Sequence, residues 1–299
     1  MKSFVRTSSM GEWLVPPHQY RMFVTALSED GKNRSNEQEE KDSLPAFGLF
    51  SQNVKDSFFI FVHLPRKYER NKNERYNVVY LLDANVYFDQ VAEYVERVSR
   101  GGSKNEPIIV GIGYRSFVEM DSLRNRDYTY PIAKTKFGFT ISGGADKFYN
   151  FIEKELRPYM YKNYRADSSG NALMGHSLGG YFVLYALGRE RSKPLFKYYI
   201  SASPSILYNP EYLEDQLKTL DPNREGMLYL SIGGMEDKEE DDGDIKESVF
   251  FDTLTGRLLG LNSKDFKVEK EAFPVAGHME TAIPSFQKGL NITMEQDKR

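Results

Sequence analysis

One hexapeptide in the middle of the chain has the spacing of a nucleophilic serine. It reads Gly175-His176-Ser177-Leu178-Gly179-Gly180 and satisfies the pattern G-x-S-x-G. A short apolar run at residues 172–174 precedes it, and a helical pattern follows it. Because the chain must turn sharply from strand to helix at Ser177, glycines at 175 and 179 are expected to provide space that side chains would fill. This context favours a serine that attacks a carbonyl carbon over a chance pentapeptide in a loop.

Such a serine needs a general base, because a hydroxyl is a weak nucleophile at neutral pH and histidine is the usual partner. The chain has four histidines. His18 lies in an N-terminal arm, His63 lies in an early strand candidate, and His176 adjoins the serine, where its ring is expected to point elsewhere. His278 follows the last strand candidate and precedes the final helix. We therefore predict that His278 is the base of Ser177.

A carboxylate should orient the imidazole and stabilise its cation. The strand candidate at residues 227–232 is followed by Gly233-Gly234-Met235-Glu236-Asp237. We predict Glu236 as the acid, because it stands three residues past the glycine that ends the strand, with Asp237 as second choice. The chain order of serine, acid and histidine agrees with the motif.

Two backbone N–H groups should hold the oxyanion that forms when the serine attacks. The helix that begins after Ser177 directs its free N–H groups at the site, and Leu178 is the natural first donor. The second should come from the loop after the strand candidate at residues 77–82. Ala84 is the predicted donor there, with Asn85 as the alternative.

Short apolar runs and longer amphipathic segments alternate along the chain around these residues. The runs predict strands at residues 77–82, 107–112, 172–174, 197–200, 227–232 and 266–273. Apolar residues at three- to four-residue spacing predict helices at residues 86–98, 145–161, 178–188, 210–220, 245–259 and 282–290. The alternation implies an α/β fold with a mostly parallel central sheet and helices on both faces. Ligands of such sheets bind at the carboxyl ends of the strands.

The first part of the chain has a different character. Two earlier strand candidates, residues 19–27 and residues 57–64, would add antiparallel strands to the sheet. Between them, residues 28–43 are almost wholly polar and charged, as in a solvated loop. We expect an N-terminal arm and polar loop at residues 1–44, part of or appended to an α/β catalytic domain at residues 45–299.

Composition excludes several other classes of protein. Forty Lys and Arg against 43 Asp and Glu give a formal charge of −3, which provides no attraction to nucleic acid. With no cysteine, the chain can form neither a disulfide nor a thiolate metal site. No stretch approaches the roughly 20 apolar residues of a membrane span, and the N-terminus lacks the apolar region of a secretory signal. Cytoplasm is the default expectation, and a processed signal is the alternative.

Two further patterns do not amount to a ligand site. The acidic run at residues 238–244 is expected to be a solvated insertion, because an EF-hand register would place Lys238 and Val249 at its first and last ligand positions. Gly111 and Gly113 follow a strand candidate, but Ser116 stands where a dinucleotide motif needs its third glycine. The expected partner is a small-molecule ester, and no metal or organic cofactor is required.

Several further segments carry a family resemblance: residues 79–88, 109–114, 127–129 with Arg124, 143–148, and 277–280, together with the turn at Ser177. Over residues 56–291 the chain resembles the esterase family of the α/β-hydrolases that contains esterase D-like and enterochelin (siderophore) esterase-like proteins. The resemblance implies the α/β-hydrolase fold and ester hydrolysis by a Ser–His pair, with or without a strongly placed acid. It also implies substrates such as siderophore lactones, acylated or feruloylated sugars and simple esters.

One position departs from that family. Its members usually read Leu-Asp-Gly where this chain has Leu82-Asp83-Ala84, so the loop near the oxyanion site is expected to be slightly reshaped. Arg124 and Asp127 could touch substrate, although an ion pair that holds their loop is the preferred interpretation. The same catalytic residues would also serve an acyltransferase, and a binding protein that kept the fold without activity is a third hypothesis.

Overall fold

The structure is a computed structural model and describes residues 12–13, 44–101, 105–189, 194–221, 223–239 and 246–296. The strands of the described residues are β1 Glu12–Trp13, β2 Phe47–Ser51, β3 Asp56–His63, β4 Val78–Leu81, β5 Ile108–Gly113, β6 Ala172–His176, β7 Tyr198–Ala202, β8 Gly226–Gly233 and β9 Phe266–Phe273. They form one sheet in the order β1-β2-β3-β5-β4-β6-β7-β8-β9.

The helices of the described residues are α1 Ala84–Arg100, α2 Phe117–Tyr128, α3 Ala145–Phe151, α4 Arg157–Asn163, α5 Leu178–Arg189, α6 Pro210–Leu217, α7 Glu236–Glu239, α8 Glu247–Leu259 and α9 Ala282–Gln296. A π-helical turn, Ile152–Leu156, joins α3 to α4. Single 3-10 turns lie at Thr135–Phe137, Ile206–Tyr208 and Met279–Thr281.

The sheet has the predicted mixed character. Strands β4 to β9 run parallel to their neighbours, whereas β1, β2 and β3 pair antiparallel, and β3 joins the parallel part through β5. The candidate at residues 57–64 is β3, while the candidate at residues 19–27 lies outside the described residues. On the side away from β5, β3 pairs with β2, a strand that the sequence pattern did not identify.

Helices cover both faces of the sheet, which explains why its central strands are continuous apolar runs. Every residue of β4, β5, β6, β7 and β8 is buried. One core cluster packs α1 and α9 against one face, and the larger cluster packs α2, α3, α5, α6 and α8 against the other. At the outer edge, β9 alternates, with Phe266 and Val268 buried between exposed residues. This frame brings the carboxyl ends of six parallel strands to one edge.

Candidate active site

The turn at Ser177 joins β6 to α5 at that edge. Ser177 has a left-handed backbone, φ 60°, and its N–H donates to the carbonyl of Ala202 at the end of β7, at 3.0 Å. The carbonyl of Ser177 in turn accepts the N–H of Tyr181 at 2.9 Å and so starts the helix. A non-glycine residue in this conformation is uncommon and strained, as expected where the fold holds a side chain at the apex of a turn.

The glycines that this turn requires are Gly175 and Gly180. A Cβ on Gly175 would lie 2.5 Å from the carbonyl oxygen of Gly179, and a Cβ on Gly180 would lie 2.9 Å from that of Ala202. At Gly179, by contrast, a Cβ would make an ordinary contact, 3.4 Å from the carboxylate of Asp83. The expectation that Gly179 provides indispensable space was therefore wrong, and Gly180 takes that role.

His278 and Glu236 meet across the ends of β9 and β8. The imidazole Nδ1 lies 3.0 Å from Glu236 Oε2, and only 3% of the Glu236 side chain is exposed. A carboxylate can only accept, so Nδ1 carries the proton and Nε2 of the neutral ring carries the lone pair. A Cβ on Gly233 would lie 2.5 Å from the carbonyl oxygen of Ala276, so glycine allows the two loops to approach this closely.

Three hydrogen bonds keep Glu236 ionised. Burial alone would raise the pKa of its carboxyl, but the bonds from His278, from Ser203 Oγ and from the Gly233 N–H outweigh burial, and the pKa is lowered. Ser203 donates to Oε1 at 2.6 Å, and this leaves Oε2 for the imidazole. The result is a buried anion aimed at Nδ1 of His278.

Asp237, the second-choice acid, has another partner. Its carboxylate accepts from the backbone N–H of Ser248 at 3.1 Å and from the hydroxyl of the same residue. The structure thus brings Glu236 to His278 and directs Asp237 toward the start of α8. Adjacent residues in a helix point about 100° apart, which is why only one of them can face the histidine.

His176 binds the backbone of the loop that carries His278. Its Nε2 lies 2.8 Å from the backbone oxygen of His278, and its Nδ1 lies 3.0 Å from the hydroxyl of Tyr87 in α1. Because a carbonyl oxygen only accepts, His176 donates from Nε2, and Tyr87 donates to Nδ1. The His176 ring is buried, and its centroid lies 4.7 Å from that of the His278 ring. Burial lowers the pKa of His176 to about 3.

This buried neutral histidine should make stability depend on pH. The unfolded chain binds the proton with the ordinary histidine pKa near 6.5, so the stabilisation is complete above that pH and is lost as pH falls toward 3. Between pH 7 and pH 5 we expect this group to lower the free energy of unfolding by about 2 kcal/mol. Urea unfolding at both pH values should show a smaller decrease for His176→Gln than for the wild type.

Asp127 changes the free energy of unfolding with pH in the opposite direction, because burial raises the pKa of its carboxyl to about 6. A carboxyl whose pKa is raised on folding is more stabilising at lower pH, through the window from about 6 down to its ordinary value. It is present in both proteins, so the difference between wild type and His176→Gln isolates the histidine. Equal pH dependence in the two proteins would contradict the assignment.

The predicted oxyanion donors begin two helices. Leu178 is the first residue of α5 and Ala84 is the first residue of α1, positions whose N–H groups have no acceptor within their helix. The left-handed conformation falls on Asp83, φ 52°, and not on Ala84. Alanine therefore fits where the family usually has glycine, and its Cβ occupies the space that a side chain at Gly111 would need.

Arg124 binds the carboxylate of Asp83. The guanidinium donates to both carboxylate oxygens, from Nε at 3.1 Å and from a terminal nitrogen at 2.9 Å. Asp127 pairs separately with Arg126 and with the hydroxyl of Tyr114. The expected ion pair between Arg124 and Asp127 was therefore wrong: each residue forms a structural ion pair, Arg124 with Asp83 and Asp127 with Arg126.

Arg124→Met should lower the free energy of unfolding by about 3 kcal/mol, because it leaves the buried Asp83 carboxylate without its cation. The estimate is at the low end for buried pairs because 16% of the Arg124 side chain is exposed. Urea unfolding at pH 7 measures the change. Asp83→Asn combined with Arg124→Met should recover part of the loss, and a single variant as stable as the wild type would show that the pair is not stabilising.

Two serines after β7 belong to the site and were missed in the sequence. Ser203 donates to Glu236, and Ser205 Oγ lies 3.2 Å from Ser177 Oγ. The signal was their position, since the segment Ser203-Pro204-Ser205 directly follows a buried parallel strand. No local motif marks it, so it could have been found only from the topology rule for strand ends.

Tyr181 in α5 and Tyr208, three residues after Ser205, both hydrogen-bond to the segment at residues 130–131. The hydroxyls of Tyr181 and Tyr208 donate to the carbonyl oxygens of Tyr130 and Pro131, each at 2.7 Å. Ile132, which follows them, is 76% exposed, and Met279, next to His278, is 60% exposed. Met279 therefore places exposed apolar surface next to His278.

Within the described part of the chain, no helix has both the length and the apolar character needed to cross a membrane. In the same residues, no group of three or more His, Asp or Glu side chains is arranged to bind a metal ion.

Comparison with known proteins finds a matching family model and several similar proteins. A family model described as "Putative esterase" matches residues 51–279, more than half of the 299 residues. Ferri-bacillibactin esterase BesA of Bacillus subtilis (strain 168) is 29% identical over 263 residues, which cover 83% of this chain and 89% of that protein. Apo-salmochelin esterase of Escherichia coli O6:H1 is 27% identical over 223 residues, with 72% and 68% covered.

A solved structure is similar over nearly the same length. The crystal structure of BES protein from Bacillus cereus superposes with a TM-score of 0.70 at 26% identity and covers 82% of this chain and 92% of that chain. Together with the mixed sheet and its helical layers, this likeness confirms the predicted α/β-hydrolase fold.

Proposed function

The chain belongs to this esterase family and is an ester-hydrolysing enzyme, and we propose that it cleaves its substrate through an acyl-enzyme on Ser177. In this proposal His278 is the general base and acid, Glu236 orients it, and the N–H groups of Leu178 and Ala84 hold the oxyanion. The observation that carries the proposal is the 3.0 Å contact of His278 Nδ1 with Glu236, at the edge where the left-handed Ser177 follows β6.

Acylation begins with the proton on Ser177. His278 Nε2 takes that proton while Oγ bonds to the ester carbonyl carbon, and the carbonyl electron pair moves to the oxygen near Leu178 and Ala84. The buried Glu236 anion stabilises the imidazolium that forms. The tetrahedral intermediate then collapses, and His278 returns the proton to the departing alcohol.

Deacylation repeats these steps with water. His278 removes a proton from water, the hydroxide adds to the acyl carbon, and Ser177 leaves with the proton from the imidazolium. The carboxylic acid is released and the site returns to its initial state. Residues 45–299 constitute the catalytic domain in this proposal.

The proposed substrate is a siderophore-type ester or lactone. Two relatives are named as esterases of ferri-bacillibactin and of apo-salmochelin. The exposed apolar residue Met279, next to His278 in the chain, suits a ligand with apolar or aromatic groups. Acylated sugars and short-chain esters remain in the panel that tests this assignment.

The test combines turnover with covalent labelling. Purified protein is assayed with a siderophore lactone, a feruloyl ester and a short-chain p-nitrophenyl ester, and is then treated with a serine-directed phosphonate. We expect hydrolysis, fastest on the siderophore, and a phosphonate adduct on the peptide that contains Ser177. Protein that hydrolyses none of the three and takes up no phosphonate would support the binding-protein hypothesis instead.

Glu236→Gln should lower kcat by about 10² to 10⁴-fold with little change in KM. The amide has nearly the same shape, but its NH₂ group facing Nδ1 would favour the wrong tautomer of His278. Steady-state kinetics with the p-nitrophenyl ester measures the effect, and Asp237→Asn is the matched control. An equal loss of kcat in the two variants would contradict the assignment of Glu236, rather than Asp237, as the acid.

A further inference from the structure

We propose that Ser205 is a second catalytic hydroxyl, which donates a hydrogen bond to Ser177 Oγ while that oxygen attacks and again while it leaves. The inference rests on the proposed acyl-enzyme at Ser177. Its basis is the 3.2 Å separation of the two Oγ atoms, both on half-buried side chains at the catalytic edge.

The direction of this bond follows from the proposed chemistry. Either hydroxyl could donate in the resting protein. When the proton of Ser177 is directed at His278, its oxygen has only lone pairs left, so it accepts and Ser205 donates. The bond then places a positive hydrogen beside the oxygen that becomes nucleophilic.

The backbone around Ser205 is fixed by contacts that do not involve its side chain. The N–H of Ser205 donates to the carbonyl oxygen of Ser177 at 3.1 Å. The N–H groups of Ile206 and Leu207 both donate to Glu247 Oε1, at 2.6 and 3.2 Å. Glu247, the first residue of α8, thus holds the turn from outside, and the hydroxyl is positioned before substrate arrives.

The two neighbouring serines have other hydrogen-bond partners, and among the three it is Ser205 that lies beside Ser177. Ser201 donates to the carbonyl oxygen of Gly180 at 3.0 Å, and Ser203 donates to Glu236 at 2.6 Å. Along residues 201, 203 and 205, three hydroxyls therefore support the turn, the acid and the nucleophile respectively.

The bond should matter most when Ser177 Oγ carries charge. In acylation the O–H bond breaks toward His278 as the Oγ–carbon bond forms, and negative charge builds on Oγ before that bond is complete. In deacylation the same oxygen departs with the bonding pair and is reprotonated by His278. Hydrogen bonds to charged oxygens are stronger than neutral ones, so Ser205 stabilises both transition states while it keeps its own proton.

Ser205→Ala, Ser205→Thr and the surface control Ser168→Ala test the inference. We expect Ser205→Ala to lower kcat/KM for a p-nitrophenyl ester about 10- to 100-fold, the size of one hydrogen bond to a charged group. The second-order rate of phosphonate labelling should fall by a similar factor, and KM should change little. Ser205→Thr retains the hydroxyl and most of the activity, and Ser168→Ala should match the wild type.

Other results would overturn the inference. A rate for Ser205→Ala equal to or above the wild type would mean that Ser205 does not assist Ser177, or that it restrains the nucleophile. Equal losses in the alanine and threonine variants would assign the effect to shape. Failure of the wild type to be labelled at Ser177 would remove the acyl-enzyme as well, whereas a normal rate in Ser205→Ala alone removes only the second hydroxyl.

Glu247→Ala supplies an independent readout. If the carboxylate acts by holding the Ser205 turn, its loss should slow labelling, and adding Ser205→Ala should slow it by less than the product of the two single effects. Fully multiplicative effects would count against the positioning of Ser205 by Glu247. Circular dichroism and thermal unfolding of each variant verify that the fold is retained.

Discussion

Ser177→Ala should abolish ester hydrolysis, with kcat lowered by about 10⁵ to 10⁶-fold. The alanine variant has no atom that can form the acyl-enzyme, so only the contribution of the oxyanion donors and of binding remains. Initial rates with the best ester from the substrate panel, corrected for the buffer reaction, measure the loss. KM or a binding constant for the same ester should change little, because the hydroxyl acts mainly in the transition state.

The fold should survive this substitution. The backbone bonds of Ser177 to Ala202 and Tyr181 do not involve its side chain, and alanine is no larger than serine. Ser168→Ala, an exposed hydroxyl deletion, is the matched control and should keep the wild-type rate. A folded Ser177→Ala protein that hydrolyses ester at close to the wild-type rate would assign the chemistry to another group.

His278→Gln has the second largest expected effect, a decrease in kcat of about 10⁵-fold. Without the imidazole, nothing takes the Ser177 proton in acylation or activates water in deacylation. Labelling by the phosphonate should slow in parallel, because it depends on the same activated oxygen. Stability should also fall, since Glu236 loses one of the hydrogen bonds that offset its burial, and the pKa of its carboxyl should move upward.

The effects of the two substitutions on kcat should not multiply. Residues that act as one unit give a double variant about as slow as either single variant. Ser177→Ala combined with His278→Gln is therefore expected to match Ser177→Ala alone. A further large decrease in the double variant would indicate that His278 supports a second route that bypasses Ser177.

Much of the sheet could be predicted because it depends on local composition. Strands buried on both faces must be apolar throughout, so runs such as residues 227–232 were visible and lie within β8. The helices that cover them are amphipathic, and α5 and α9 begin where their patterns predicted. Burial from two sides leaves a signal in the sequence that does not depend on which strands are neighbours.

Other elements could not be found this way. Helix α2 buries only Met120, Asp127 and Tyr128, while Phe117 and Val118 are exposed, so its apolar residues do not follow a helical period. Strand β2 is only five residues long and owes its place to pairing with β3. Both elements exist because of contacts with distant parts of the chain, and such contacts leave no periodic pattern.

The amino-acid sequence alone predicts the strand-to-helix turn at Ser177 and the chain order of serine, acid and histidine, because such a turn needs glycine at a position such as Gly175. Three features became visible only in the folded protein: Glu236 and not Asp237 faces His278, His176 binds the loop of His278, and Ser205 lies beside Ser177. His176 and His278 are 102 residues apart in the chain, and Ser203 and Glu236 are 33 apart. Side-chain contacts across strand ends depend on the order of the strands and on how closely their loops approach, and both are properties of the packed sheet.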